Sequence, residues 1–269
     1  MTTRLEDVLL VFCVSQNTRQ LYDTWRNDPR RRAVAPVVQA HETRVVYDLT
    51  SQDIWDVCRR TEHALGEVKR RDAESVRRIV DWHPDFAFTH ALHICMERTG
   101  RLPAFGEVRD YAMTDELGRE MLGEPARRAI AAEVDRGTPE WLVKAAMRWR
   151  VGNAYYSFLR ETYTIVELRS RGIPLEVHPL ADALFRVDAW VGRTALSLRV
   201  GNKKFRHGEH DGRKVPPERL LADVVPALGF HTIELGAASE FGVVHLPSSG
   251  QLDAAADGLR RAMASASWG

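Results

Sequence analysis

Three polar side chains able to do chemistry lie in two short apolar segments, residues 185–190 and 196–200. Asp188 lies in the first segment, and Ser197 and Arg199 lie in the second. Both segments have the length and composition of strands, and alternate residues of a strand share one face. The three side chains therefore can converge on one site. A carboxylate there can bind a metal ion, whereas the arginine stays protonated and can hold a phosphate but cannot serve as a base.

The elements that position these residues change character near Gly172. Helical periodicity dominates residues 51–172, which indicates a helical bundle. Thr138 followed by Pro139 predicts the start of its last helix, which continues to Gly172, with a possible kink at Gly152. The first fifty residues stay unassigned, because residues 8–14 and 43–49 could each be a strand.

Beyond Gly172 the pattern changes to short apolar segments. Three of them fit a meander of strands, and an amphipathic stretch, two more strands and a closing helix follow. The predicted order from about residue 153 is therefore α-β-β-β-α-β-β-α. After the first helix, its segments are residues 175–178, 184–191, 194–200, 216–228, 231–235, 243–246 and 252–263.

Several residues at fixed positions in this order match the motifs of a known family. The helix has Glu161 eleven positions before Gly172, with Leu168 between them, and the next motif places Arg186 two residues before Asp188. Over roughly residues 153–245 the chain resembles the PD-(D/E)XK nuclease superfamily, including small members similar to very short patch repair endonucleases. The strand at 196–200 departs from the usual apolar-Glu-apolar-Lys, since it has Ser197 and Arg199 at the polar positions.

The resemblance implies a restriction-endonuclease-like α-β-β-β-α-β core that cleaves phosphodiester bonds of DNA with Mg²⁺. Glu161 and Asp188 would hold the metal, and Ser197 would coordinate weakly or through water. Arg199, with Lys203 or Lys204 in place of the missing lysine, would stabilise the phosphate. The serine and arginine leave open a catalytically inactive protein that binds nucleic acid or serves as the scaffold subunit of a complex.

A basic loop follows the motif strand. Its cluster extends from Arg199 to Lys214, and Arg206, His207 and His210 are its candidate nucleic-acid contacts, together with Arg186. A solvated surface loop is an equal alternative. The two histidines could also bind a metal, but a glycine-containing loop gives them no fixed ligand spacing.

The helical part contains one further candidate for DNA contact. Arg98 and Arg101 flank Gly100 between two predicted helices, which is the arrangement of a helix-turn-helix junction. Helical corners of this kind are common in proteins without a ligand, and that structural interpretation is favoured. Nearby, His90 and His93 lie in an apolar run and are expected to be packed core residues.

Composition limits the remaining choices. The 269 residues carry 38 Lys+Arg against 37 Asp+Glu, which excludes a uniformly basic protein, and three separated cysteines indicate reduced thiols. No apolar run is long enough to span a bilayer, so a cytoplasmic protein is expected. We predict an α+β protein with a mainly helical recognition or partner-binding region at 1–150 and a nuclease-like region at 151–269. An unrelated partner-binding subunit is the third alternative.

Overall fold

A computed structural model describes residues 1–60, 63–200, 215–235, 239–241 and 244–266. The fold is α+β, with a mostly helical N-terminal region and a small mixed sheet near the C-terminus, as the sequence predicts. The first ten α-helices are α1 (Leu5–Phe12), α2 (Gln16–Arg26), α3 (Ala35–Gln39), α4 (Val45–Asp48), α5 (Ser51–Arg60), α6 (Arg70–Ser75), α7 (Arg77–Val80), α8 (Phe88–Thr99), α9 (Phe105–Thr114) and α10 (Glu116–Gly118).

The remaining elements include the sheets. A short 3-10 helix covers Pro29–Arg31, and π-helical turns cover Arg119–Gly123 and Ala181–Phe185. The later helices are α11 (Glu124–Val134), α12 (Glu140–Ser170), α13 (Pro217–Leu220) and α14 (Ser249–Ala266). The strands are β1 (Ala189–Val191), β2 (Thr194–Val200), β3 (Gly229–Leu235), β4 (Ser239–Phe241) and β5 (Val244–Leu246).

The first fifty residues are mainly helical. Residues 8–14 and 43–49, both possible strands by composition, contribute to α1 and α4 instead. Extended pairing in this region consists of one antiparallel bridge between Thr3 and Thr43. The apolar side of α1 is buried through Val8 and Phe12, so tertiary packing decides the conformation of a segment whose composition is ambiguous.

The long helix α12 joins the helical region to the sheet region. It begins at Glu140 with Pro139 at its N-cap, one residue from the predicted start, and it is continuous through Gly152. A Cβ atom at Gly152 would lie 2.6 Å from the backbone oxygen of Ala64, so this glycine permits a close approach rather than a kink. The helix also passes through the predicted boundary at residue 150, and one hydrophobic core includes residues from both sides of it.

The main sheet has the order β1-β2-β3. β1 and β2 are antiparallel, whereas β2 and β3 are parallel and are joined by a crossover that contains α13. Glu176 adds an antiparallel bridge to Trp190 on the outer side of β1. α14 packs on β3 and β2, and α12 contacts both α14 and the β4-β5 hairpin. From α12 to β3, the described elements therefore follow the order α12, bridge segment, π-helical turn, β1, β2, α13, β3.

Three predicted elements near the sheet are wrong in their extent. Residues 175–178 were expected to form a strand, but they contribute only the single bridge at Glu176. Residues 184–191 were expected to form one strand, but the π-helical turn includes Leu184 and Phe185, and Arg186 is left-handed with φ 63°. The strand itself begins only at Ala189. The amphipathic stretch at 216–228 forms a helix only over Pro217–Leu220. Within the described residues, no helix is long and apolar enough to cross a membrane.

Candidate metal centre

Three carboxylates meet where α12 approaches the start of the sheet. Glu161 comes from α12, Asp182 from the π-helical turn, and Asp188 from the position just before β1. One carboxylate oxygen from each residue lies within 4.8 Å of those of the other two, and all three side chains are partly buried. Glu161 and Asp188 are the two residues that the resemblance implies as metal ligands, and Asp182 is a third candidate that the sequence analysis does not include.

Asp188 is held by the neighbouring strand. Its N–H donates to the backbone oxygen of Leu196 at 3.0 Å, and its Oδ2 accepts the N–H of Leu198 at 2.5 Å. The carboxylate therefore takes a position that a backbone carbonyl would fill in a regular ladder, which fixes its orientation. The segment that follows Asp188 pairs with the strand of Ser197 and Arg199, as the meander predicts, but Asp188 itself precedes β1, which lies at the end of the described β1-β2-β3 order rather than at its centre.

Asp182 is positioned by an irregular turn. The N–H of Arg186 donates to the backbone oxygen of Asp182 at 3.1 Å, and the N–H of Val187 donates to that of Ala181 at 3.2 Å. Ala181 and Val187 are fully buried and anchor the turn on both sides. The wide turn and the left-handed Arg186 bring two aspartates that are six residues apart in the sequence to the same side of the chain. Such π-helical insertions are frequent at functional sites.

Glu161 has the most perturbed carboxyl group of the three. Burial, followed by the negative charges of Asp188 and Asp182, raises its pKa well above the usual value. Its Oε1 is buried and has no hydrogen-bond partner. A buried acceptor without a donor is costly, and here its neighbours are two further carboxylates. A cation among the three groups would satisfy Oε1 and reverse the preference for the protonated form.

The spacing of the carboxylates fits a divalent cation. Mg²⁺ binds oxygen at about 2.1 Å, so two ligands on opposite sides of one ion lie about 4.2 Å apart. The 4.8 Å limit on the three oxygens therefore needs only a small adjustment to accommodate such an ion. Carboxylate oxygens without sulfur or imidazole favour the hard cations Mg²⁺, Mn²⁺ and Ca²⁺ over zinc or copper.

The two other predicted residues of the motif strand lie on β2. Ser197 is partly buried and is the register partner of Thr232, while Arg199 is the partner of Glu234 on β3. The Arg199 side chain is 53% exposed, and its Nη2 lies 3.9 Å from Oε1 of Glu218. Arg199 is thus accessible to a phosphate, with a nearby carboxylate that partly balances its charge.

Of the basic residues predicted from the C-terminal region to contact nucleic acid or phosphate, the structure describes only some. Lys203, Lys204, Arg206, His207 and His210 lie outside the described residues. Arg186, half-buried, occupies the left-handed position between the two aspartates of the cluster, rather than the strand position expected from alternation.

The candidate helix-turn-helix junction is a corner between α8 and α9. Arg98 forms an ion pair with Asp115, and Arg101 forms one with Glu107. These local pairs support the structural interpretation of the corner. His90 and His93 are buried in α8, as expected for core residues.

Asp182 could have been found from the sequence by one signal. It is the only charged residue between Val177 and Phe185, if histidine is taken as neutral, and isolated carboxylates in apolar segments tend to have a function. This observation does not enter the sequence-based prediction, because the strand expected at 184–191 begins after Asp182. Asp182 therefore lies outside the predicted elements that contain Glu161 and Asp188.

Comparison with known proteins provides no family assignment. No protein-family model matches the chain, and neither a curated protein nor a solved structure matches it. The geometry of the carboxylate cluster is therefore the basis on which a function is proposed.

Proposed function

We propose that the chain is a metal-dependent nuclease whose centre consists of Glu161, Asp182 and Asp188. The observation that carries the proposal is the convergence of these three carboxylates, with one oxygen from each within 4.8 Å of the others. Two or three carboxylates from different elements are what a Mg²⁺ site for phosphodiester cleavage requires. The buried, unpartnered Oε1 of Glu161 supports a cation rather than a solvated acidic surface.

The topology supports the same proposal. With the single bridge at Glu176 in place of the first strand, and with a π-helical turn inserted before β1, the order α12, bridge segment, β1, β2, α13, β3 follows the α-β-β-β-α-β order that the resemblance implies, and β3 is parallel to β2. Asp182 supplies the third carboxylate that Ser197 does not provide. The motif strand thus departs from the usual pattern while the number of acidic ligands is preserved.

In this proposal the acidic residues hold the cation, and the basic residue Arg199 faces the phosphate. When bound, a divalent cation activates a water and neutralises charge on the phosphate. Asp188 is oriented by the N–H of Leu198, and Asp182 by the turn that anchors it, so both ligands are preorganised. Arg199 is exposed on β2 and supplies positive charge to the phosphate, but it does not accept the proton of the water.

The substrate of this proposal is DNA, and the basic segment from Lys203 to Lys214, which lies outside the described residues, is proposed from its composition as a further source of phosphate contacts. Its six basic residues, counted from Arg199, exceed its two acidic residues. Neutral substitution of Lys203, Lys204 and Arg206 is expected to weaken binding and to reduce its salt dependence. An unchanged salt slope would remove the loop from the proposal.

The test is nicking of supercoiled plasmid with Mg²⁺ or Mn²⁺ by wild type and Asp188→Asn. The amide oxygen of asparagine can still accept the Leu198 N–H, while the negative charge is lost, so the variant separates charge from structure. We expect cleavage to fall at least a hundredfold in D188N. Asp257→Asn is the matched control, because Asp257 is an exposed aspartate paired with Arg260 on α14.

Two outcomes would overturn the assignment. If D188N nicks plasmid as well as wild type does, the carboxylate cluster is not the catalytic centre. If neither protein cleaves yet both bind DNA, the chain is an inactive nucleic-acid-binding protein, which Ser197 and Arg199 in the motif strand would then explain.

A further inference from the structure

Four buried histidines lie at the junction of three parts of the chain. His41 follows α3, His90 and His93 belong to α8, and His178 lies in the segment between α12 and the π-helical turn. All four are buried, with exposed fractions of 7% or less. The ring centroids of His41 and His178 are 5.3 Å apart, and those of His41 and His93 are 6.3 Å apart. This histidine cluster is separate from the carboxylates described above.

The hydrogen bonds of His178 define its protonation state. Its Nδ1 accepts the N–H of Leu180 at 3.1 Å, so Nδ1 carries no proton. Its Nε2 is then the protonated nitrogen and donates to the backbone oxygen of His41 at 3.3 Å. The neutral ring is satisfied at both positions. A second proton on Nδ1 would point at the Leu180 N–H, so the charged ring does not fit this arrangement.

The other three rings also have surroundings that suit only the neutral form. Nε2 of His41, Nδ1 of His93 and both ring nitrogens of His90 are buried without a partner. Among the described residues, the nitrogens do not approach one another closely enough to form a metal group. His93 packs edge-on against Phe158, with the ring centroids 5.2 Å apart.

The charged groups around the cluster are mostly positive. Arg44 faces His41, Arg31 faces His90, and Asp7 is the one acidic group that favours charge on His178. The remaining charges that each ring would meet are those of the other histidines. Protonation of one ring therefore makes protonation of its neighbours harder while the cluster stays closed.

Burial lowers all four pKa values, and neighbouring positive groups lower those of His41, His90 and His93 further, whereas the neighbours of His178 oppose its shift. Burial is the largest cause in each case, and it brings the pKa of His41 to about 2, those of His90 and His93 to about 3, and that of His178 to about 4. In an opened chain each ring would return to an ordinary pKa near 6.5. Protons are therefore taken up on opening, and acid drives the cluster open.

We propose that the histidine cluster is a proton-sensitive latch that holds the N-terminal segment and α8 against the segment leading into the π-helical turn. Its opening releases the Leu180 N–H, two residues before Asp182, so acidification also displaces that carboxylate. The latch itself does not depend on the proposed nuclease function. Between pH 6.5 and its own lowered pKa, each histidine raises the equilibrium constant for opening by up to tenfold per pH unit. The contributions of the four histidines multiply.

The test is urea unfolding of wild type, His178→Asn and His83→Asn between pH 7 and pH 4.5. The asparagine oxygen at position 178 can still accept the Leu180 N–H, but it does not titrate. The pH dependence of the unfolding constant reports proton uptake, and we expect H178N to lower that uptake by about one proton. His83 is exposed, so H83N controls for loss of a histidine outside the cluster.

A second measurement keeps the proposal testable if H178N does not fold. Imidazole nitrogen NMR of wild type is expected to show His178 neutral, with the proton on Nε2, down to the pH at which the chain opens. Hydrogen exchange of the Leu180 amide should accelerate at the same pH. Titration of the cluster rings near pH 6.5 without opening, or a pH slope in H178N equal to that of wild type, would overturn the latch.

Discussion

Replacement of Glu161 by glutamine tests whether the three carboxylates repel one another in the folded protein. Two unit charges 4.8 Å apart interact by about 3.5 kcal/mol at an effective dielectric constant of about 20. Protonation of Glu161 relieves this repulsion, but it costs up to about 4 kcal/mol at pH 7.5, since the free carboxyl has an ordinary pKa near 4.3. Either way, the charged cluster destabilises the fold.

The glutamine side chain avoids both costs. Its amide N–H groups can donate to Asp182 and Asp188, and part of the gain is lost to imperfect burial of the amide. We therefore expect E161Q to stabilise the metal-free protein by about 2 kcal/mol at pH 7.5, which raises Tm by roughly 4–8 °C for a chain of this size. At pH 4.5 most of the gain should vanish, because a free carboxyl is then about 40% protonated and protonation of Glu161 in the folded protein costs only about 0.6 kcal/mol.

Metal narrows the difference in stability between the two proteins. With a dissociation constant of about 1 mM, 10 mM Mg²⁺ would stabilise wild type by about 1.4 kcal/mol, and E161Q should lose most of this effect. Thermal unfolding with and without Mg²⁺ measures both quantities. Glu140→Gln is the control, because Glu140 is exposed on the same helix and is paired with Lys144. An E161Q protein that is destabilised at pH 7.5 and still responds to Mg²⁺ would refute this account of the cluster.

Two further predictions follow from the motif strand and from helix packing. The double substitution Ser197→Glu with Arg199→Lys is expected to strengthen Mg²⁺ binding severalfold and to increase plasmid cleavage, as calorimetry and the nicking assay would show. Weaker metal binding would contradict the prediction that a carboxylate at position 197 reaches the site. Gly152→Ala should destabilise the protein by about 1–3 kcal/mol in urea unfolding, because its Cβ would lie 2.6 Å from the Ala64 oxygen, whereas Gly106→Ala has open space and should not.

The sequence predicts much of the sheet region because its strands have clear ends. The observed β2 begins and ends at Thr194 and Val200 as predicted, and β3 and the closing helix differ from prediction by a few residues at their ends. Strong apolar composition and turn residues define these elements locally. The predicted partnership of the Asp188 segment with β2 also follows from burial of the apolar residues on both.

The parts that the sequence does not predict depend on tertiary packing. Ala189, Trp190 and Val191 are all buried, so β1 lacks the alternation that would have shown where it begins. The turn at Ala181–Phe185 is apolar like a strand, and only packing of its buried residues against the helical region selects the π-helical form. Local patterns do not contain this information.

The third carboxylate depends on this same turn, which explains why the site was only partly predictable. In an extended chain, Asp182 and Asp188 would lie about 20 Å apart, because each residue of a strand advances about 3.3 Å. The π-helical turn and the left-handed Arg186 instead fold the chain back, so Asp182 and Asp188 both face Glu161 on α12. The carboxylate that Ser197 does not provide on β2 is thus replaced, in the proposed site, by Asp182 from the π-helical turn. The number of negative charges stays the same. Because the position of Asp182 depends on an irregular backbone turn, it can be judged only from the folded chain, while Glu161 and Asp188 are indicated by the resemblance of their motifs to the nuclease superfamily.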